Sequence, residues 1–128
     1  MKTATLPLLA RRGPSQAPTD TISVGANLDV SSARRFGRAV SRMIDRRSSH
    51  VIVDMSKLQN FDSSGFGSLI SGLKKFNDAG ATPVVVCKHP SVRRLMDFAG
   101  VSRTFTVVGT MTDARRALAA SQADALAS

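Results

Sequence analysis

Glutamate, tryptophan and tyrosine are missing from the 128 residues, and cysteine occurs once, as Cys87. A lone cysteine cannot close an internal disulfide and offers nothing to a metal cluster, so a reducing, cytoplasmic setting is expected. Without tryptophan or tyrosine, stacking on single-stranded nucleic acid would rest on six phenylalanines that the core also needs. No apolar run approaches the roughly 18 residues of a membrane-spanning helix. The stretch Met1–Arg12 has one lysine before a short apolar segment that contains Pro7 and ends in Arg11-Arg12, so a secretion signal is not expected. No nucleophile–base–orienter set is visible and no glycine-rich loop has Walker or dinucleotide spacing, which argues against an enzyme.

What is present describes an ordinary globular chain of one domain: 42% of residues are apolar and 21% charged, too apolar for wholesale disorder. The charge balance is unusual. Eighteen lysines and arginines stand against nine acids, all aspartate, for a net charge of +9. That raises the question of a polyanionic partner.

Along the chain, Gly13–Asp20 is turn-forming and separates a strand expected at about Ala4–Arg11 from one at Thr21–Gly25, paired antiparallel. From Ser31 the period becomes helical, with Ala33, Phe36, Val40, Met43 and Ile44 on one face and Ser31 or Ser32 as N-cap. Val51-Ile52-Val53 and Val84–Cys87 are β-branched runs of the kind buried on both faces of a parallel sheet. Between them Phe66, Leu69, Ile70, Leu73 and Phe76 define a second helix stopped by Gly80. Pro90 opens a third helix with Val92, Leu95, Met96 and Ala99 inward, closed by Gly100. Phe105–Val108 reads as a last strand, and Thr112 as the cap of an alanine-rich helix that frays after Gln122. The alternation predicts an α/β domain with a mixed, mostly parallel sheet of four to five strands and about four helices. Residues 1–20 form an N-terminal strand and loop, 21–122 the core and 123–128 a frayed tail.

In such sheets sites form where strands hand over to helices. The loop Ser56–Gly67 ends in Phe61-Asp62-Ser63-Ser64-Gly65-Phe66-Gly67. Asp-Ser-Ser-Gly is a capping sequence; it also exposes a hydroxyl at a helix N-terminus, where free N–H groups favour an added phosphate. Glycine in a first turn costs about 1 kcal/mol relative to alanine, which makes sense where something approaches the backbone closely.

Val51–Met55 followed by Phe61–Gly67 resembles the signature of STAS domains, specifically bacterial anti-sigma-factor antagonists. Ala79–Val86 and Val92–Val101 resemble the next strand and helix of that family in order and spacing. Gly25–Asp29 resembles its Gly-x-Leu-Asp turn with one extra residue. The resemblance spans about Thr21–Leu118. It implies a single STAS domain that binds an anti-sigma factor, itself a serine-protein kinase, and lets go when Ser63 is phosphorylated, so regulating transcription; a serine phosphatase would be a further partner. Asp29, Asp62, Ser63, Ser64, Gly65 and Phe66 would contact the partner, with no cofactor. The alternative within the same resemblance is a subunit of a membrane lipid-transport (ABC-type) or other complex, docking through the same loop without phosphorylation.

Six arginines crowd the first helix, and Arg34, Arg38, Arg42 and Arg46 stand four apart as one stripe. A solvated face is the plain explanation. Nucleic acid or acidic lipid is the sharper one, though direct nucleic-acid binding is not expected, and an acidic face of the regulatory partner is a third. His50 and His89 lack companions at ligand spacing, so no metal is expected. Cys87 reads as a small core residue. Asp54 ends a buried strand but lacks the paired acids and lysine of a receiver-type phosphoacceptor site.

Overall fold

Residues 19–127 are described in a computed structural model of the chain, with side-chain detail to Ala120. The expected strand at Ala4–Arg11, with its antiparallel pairing, lies outside them. In order, β1 (Thr19–Ser23) and β2 (Asn27–Leu28) precede α1 (Val30–Asp45). Next come β3 (His50–Asp54), β4 (Asn60–Phe61) and α2 (Ser63–Asp78). Then follow β5 (Thr82–Val86), α3 (Pro90–Phe98), a one-turn α4 (Val101–Thr104), β6 (Thr106–Val108) and α5 (Met111–Ala127).

Every strand pair among the described residues is parallel. The main sheet runs β1-β3-β5-β6, and β2 and β4 form a separate two-stranded sheet. Because this order never reverses, right-handed crossovers place α1, α2 and α3 on one face of the sheet. Packing bears that out. Val51 and Val53 of β3 and Val85 of β5 join Phe36, Val40, Leu69, Leu73, Phe76, Val92 and Met96 in one core. The alternate residues Ile52, Val84 and Val86 point the other way, onto Ala114 and Leu118 of α5. A sheet buried on both faces explains why β3 and β5 read as unbroken apolar runs.

Pro83 sits in the interior strand β5 at no cost to the ladder. Thr82 N donates to Ser49 O on the β3 side (2.8 Å), so the Pro83 nitrogen turns the opposite way. On that side, pairing with β6 begins only at Val84. Helix stops fall where glycine predicts them: Gly80 and Gly100 hold φ of +83° and +78°. Gly72 lets Phe36 of α1 into the α2 surface, since a Cβ there would lie 2.4 Å from the Phe36 ring.

Several expectations need correction. Asp29, not Ser31 or Ser32, is the N-cap of α1, and Ser32 is its N3 partner in a capping box. Thr110, not Thr112, caps α5, its Oγ1 accepting from Asp113 N at 3.0 Å. Leu95 and Ala99 are exposed, because the nine-residue α3 buries only the narrow edge formed by Val92 and Met96. Phe105 is buried but ends α4 rather than belonging to β6.

Candidate functional site

Two strand-to-helix connections are built alike. After β1 the chain runs through Asn27-Leu28 into Asp29 and α1; after β3 it runs through Asn60-Phe61 into Asp62 and α2. The two short strands pair, Asn27 with Asn60 and Leu28 with Phe61, so Asp29 and Asp62 follow side by side at the carboxyl end of the sheet. Ala26 O accepts from both Gln59 N and Asn60 N (2.8 and 3.0 Å), and Asp62 N donates to Leu28 O (3.1 Å). The asparagines join as well, Asn60 Nδ2 donating to Asn27 Oδ1 at 3.2 Å.

Both aspartates are helix caps. Asp29 Oδ1 accepts from Ser32 N (3.1 Å), while Asp29 N donates to Ser32 Oγ (2.8 Å). Asp62 Oδ1 accepts from Gly65 N (2.8 Å). The Ser32 N–H, chief among several donors, holds the Asp29 carboxyl below its ordinary 3.8, with Arg35 adding a smaller pull. The carboxylates are therefore committed to backbone and cannot swing freely. They act as fixed negative charges beside Ser63.

Ser63 is the first residue of α2 and Ser64 the second, and both side chains are exposed. Their N–H groups precede the first intrahelical bond, so they point toward solvent with the positive end of the helix behind them. Gly65 is buried, and the backbone that approaches it belongs to this chain: an added Cβ would stand 2.1 Å from Leu28 O. Gly67, one turn below Ser63, is exposed, and an added Cβ would meet nothing within 4 Å. Phe66 is half-buried against the core. Next to Asp29, Val30 leaves 54% of its surface in water.

His89 flanks the end from α3, its ring edge-on to Phe61 at 5.7 Å. Cys87, two residues earlier, is fully buried, with burial pushing the thiol up from its ordinary value. Asp54 is half-buried and accepts from Ser56 N at 2.9 Å, closing a turn. Among the described residues no three of histidine, cysteine and aspartate are grouped to hold a metal ion, and no helix is long and apolar enough to cross a membrane. Among the described strands the order of the main sheet does not reverse.

The arginine stripe holds only in part. Successive residues four apart drift about 40° round a helix of 3.6 residues per turn. α1 ends at Asp45, so Arg46 is its C-cap and Arg47 lies beyond it; at Arg46 the row has turned toward β1, where that side chain meets Asp20 at 2.9 Å. Asp20 also accepts from Ser48 Oγ. Arg34, Arg38 and Arg42 remain exposed and form no ion pair among the described residues.

Sequence reasoning singled out Ser63, Asp62 and Asp29 as candidates but not the strand pairing that sets the two aspartates side by side. A signal exists: Asn27-Leu28-Asp29 is echoed by Asn60-Phe61-Asp62. An asparagine, a core apolar residue and a capping aspartate recur in the same order before each helix.

Comparison with known proteins adds the lineage of this arrangement. A family model described as STAS domain matches residues 16–114. An anti-sigma F factor antagonist from Paenibacillus polymyxa is 26% identical over 87 residues, covering 67% of this chain and 74% of that protein. A sulfate transporter family protein from Wolinella succinogenes superposes with a TM-score of 0.70 at 13% identity, over 85% of this chain and 92% of the other. The Bacillus cell fate determinant SpoIIAA in its phosphorylated form gives 0.63 at 18%, over 77% and 88%. At these identities the two structural likenesses are of fold alone.

Proposed function

The chain belongs to the STAS domain family, and on that footing we propose that it is an anti-sigma-factor antagonist whose binding is switched at Ser63. The unphosphorylated protein docks onto an anti-sigma factor with serine-kinase activity and thereby frees a sigma factor; phosphorylation of Ser63 releases the partner. One observation carries this reading: Ser63 is exposed at the first position of α2, beside two aspartates already tied into caps. The relative named as an anti-sigma F factor antagonist supports the partner class. The existence of a phosphorylated form of a protein sharing the fold supports the modification.

The physical chemistry follows from the geometry. A phosphoserine adds about −1.5 to −2 charge and three acceptor oxygens. In the free protein the Ser63 and Ser64 N–H groups and the α2 dipole accommodate it. In the complex the same phosphate would be taken out of water next to Asp29 and Asp62, neither of which can turn away without uncapping its helix. Burying uncompensated charge costs several kcal/mol, on the order of a hundredfold or more in affinity. The fold need not change, because neither cap contact depends on the Ser63 hydroxyl.

The test is retention of partners by wild type, Ser63→Ala and Ser63→Asp, with phosphopeptide mapping after incubation with the retained partner and ATP. The alanine form should hold an ATP-dependent serine kinase, the aspartate form should lose it, and wild type should gain phosphate at Ser63. Equal retention by all three, or stable co-purification of a membrane ATPase with no phosphate on Ser63, defeats the proposal in favour of a constitutive docking subunit.

A further inference from the structure

We propose that the outer face of α1, through Arg34, Arg38 and Arg42, is a docking surface for an acidic patch on the same protein that covers Ser63. The inference rests on the docking reading above and adds the chemistry of the partner's surface. Arg34 lies one turn beyond Val30, the exposed apolar residue next to Asp29, so the arginine row begins at the margin of the Ser63 end. On α2, Ser63, Gly67 and Ser71 succeed one another at the same spacing, all exposed and small. Gly72 of α2 packs on Phe36 of α1, so the helices are neighbours, and a protein lying across that low face of α2 reaches the outer face of α1 at Arg34 and Arg38, with Arg42 beyond them toward β1.

The row is not what stability alone would select. Like charges four apart destabilise a helix by about 0.2–0.5 kcal/mol per pair. Asp45, the only acid within α1, forms no ion pair with them among the described residues. The unpaired forks are all guanidinium, the side chain suited to bidentate contact with carboxylates.

A protein fits better than a nucleic acid or a membrane, because the sign of the surface changes along the helix. α1 starts on the fixed carboxylate of Asp29, with Asp62 at its side, and turns basic within two turns. A uniform polyanion would be attracted by the arginines and repelled at the Ser63 end. A protein can place carboxylates opposite the arginines and none opposite the aspartates. Such a pairing speeds encounter and fixes orientation, while the Ser63 end sets how long the complex lasts.

The experiment places p-benzoylphenylalanine at position Ser41, exposed and three residues beyond Arg38 on the helix surface, in the full chain in cells, and maps the cross-linked segment after irradiation. The expected product joins Ser41 to an Asp/Glu-rich segment of the protein that Ser63→Ala retains. An Arg34→Gln/Arg38→Gln/Arg42→Gln variant should lower its yield about tenfold, and the corresponding lysine variant should restore only part of it, since lysine keeps the charge but not the bidentate fork. The lysine variant should melt with wild type, since these side chains are exposed, and the glutamine variant at or slightly above it, since two like-charge pairs are removed. A nuclease-sensitive product, a lipid adduct, attachment to a non-acidic segment, a yield indifferent to the glutamine changes, or no product at all overturns the inference. A partner that obeys Ser63 but never cross-links from Ser41 defeats the arginine surface alone. An acidic partner cross-linked at Ser41 whose binding ignores Ser63→Asp sustains the surface and defeats the switch.

Discussion

Two glycines in one helical turn should respond in opposite ways to the same methyl group. At Gly65 a Cβ would stand 2.1 Å from Leu28 O, 2.5 Å from Leu28 C and 2.9 Å from Leu28 Cγ. The obstacle is mainly backbone, held in place by pairing with Phe61 and by the Asp29 cap, so β2 must withdraw by roughly 1.3 Å or more to reach ordinary contact. Overpacking of this kind costs roughly 1–3 kcal/mol, and the backbone obstacle argues for the upper end. Replacing glycine in a helix returns about 1 kcal/mol. Gly65→Ala should therefore lose about 2 kcal/mol net. At Gly67 nothing lies within 4 Å, so only the propensity gain remains and Gly67→Ala should be about 1 kcal/mol more stable. With Tm moving on the order of 4 °C per kcal/mol in a domain of this size, the two variants should melt roughly 12 °C apart, on either side of wild type. Thermal and urea unfolding followed by circular dichroism read this directly. A Gly65→Ala protein melting with wild type, or both variants shifting the same way, would refute the claim that β2 is seated on the first turn of α2. Under the docking proposal the more stable Gly67→Ala protein should still bind its partner less well, because the methyl intrudes on the face that the partner approaches.

Further outcomes concern the titrating groups. Burial holds the His50 imidazole below its ordinary 6.5, so the folded state favours the neutral ring. That stability is fully present above about pH 6.5 and declines as pH falls toward the folded-state value, because the unfolded chain takes up the proton first. Urea midpoints at roughly pH 7.5 and 5.5 should fall further for wild type than for His50→Gln, and equal slopes would count against it. For Asp29, whose carboxyl is held below 3.8, the capping contribution is present above that value and is lost as pH drops through the lower folded one. Asp29→Ala should lose the cap and melt earlier. Asp29→Asn should keep the cap, and any change in partner binding by that variant would then report the charge alone.

Much of the fold was legible because its signals are local. Val51–Val53 and Val84–Val86 are buried on both sides, so they read as apolar runs; α1 and α2 are buried on one side, so they read at helical period. What misled the reading was competition among neighbours. Serine at Ser31 or Ser32 looks like a cap, yet the residue with extended backbone before the helix is Asp29, and that conformation follows from β2 pairing with β4. Leu95 has the spacing of a core residue, but α3 touches the body along too narrow a strip to cover it.

Ser63, as a hydroxyl after a capping aspartate at the head of an amphipathic helix, was determined by a few consecutive residues, as were the element order and the glycine stops. Tertiary structure decided what stands around it. Two-residue strands have no period to announce them, so the pairing that sets Asp29 beside Asp62, across 33 positions, exists only once both connections are folded against each other. The stripe of four arginines likewise became three and an ion pair, because helical drift turned Arg46 onto an aspartate supplied by the neighbouring strand.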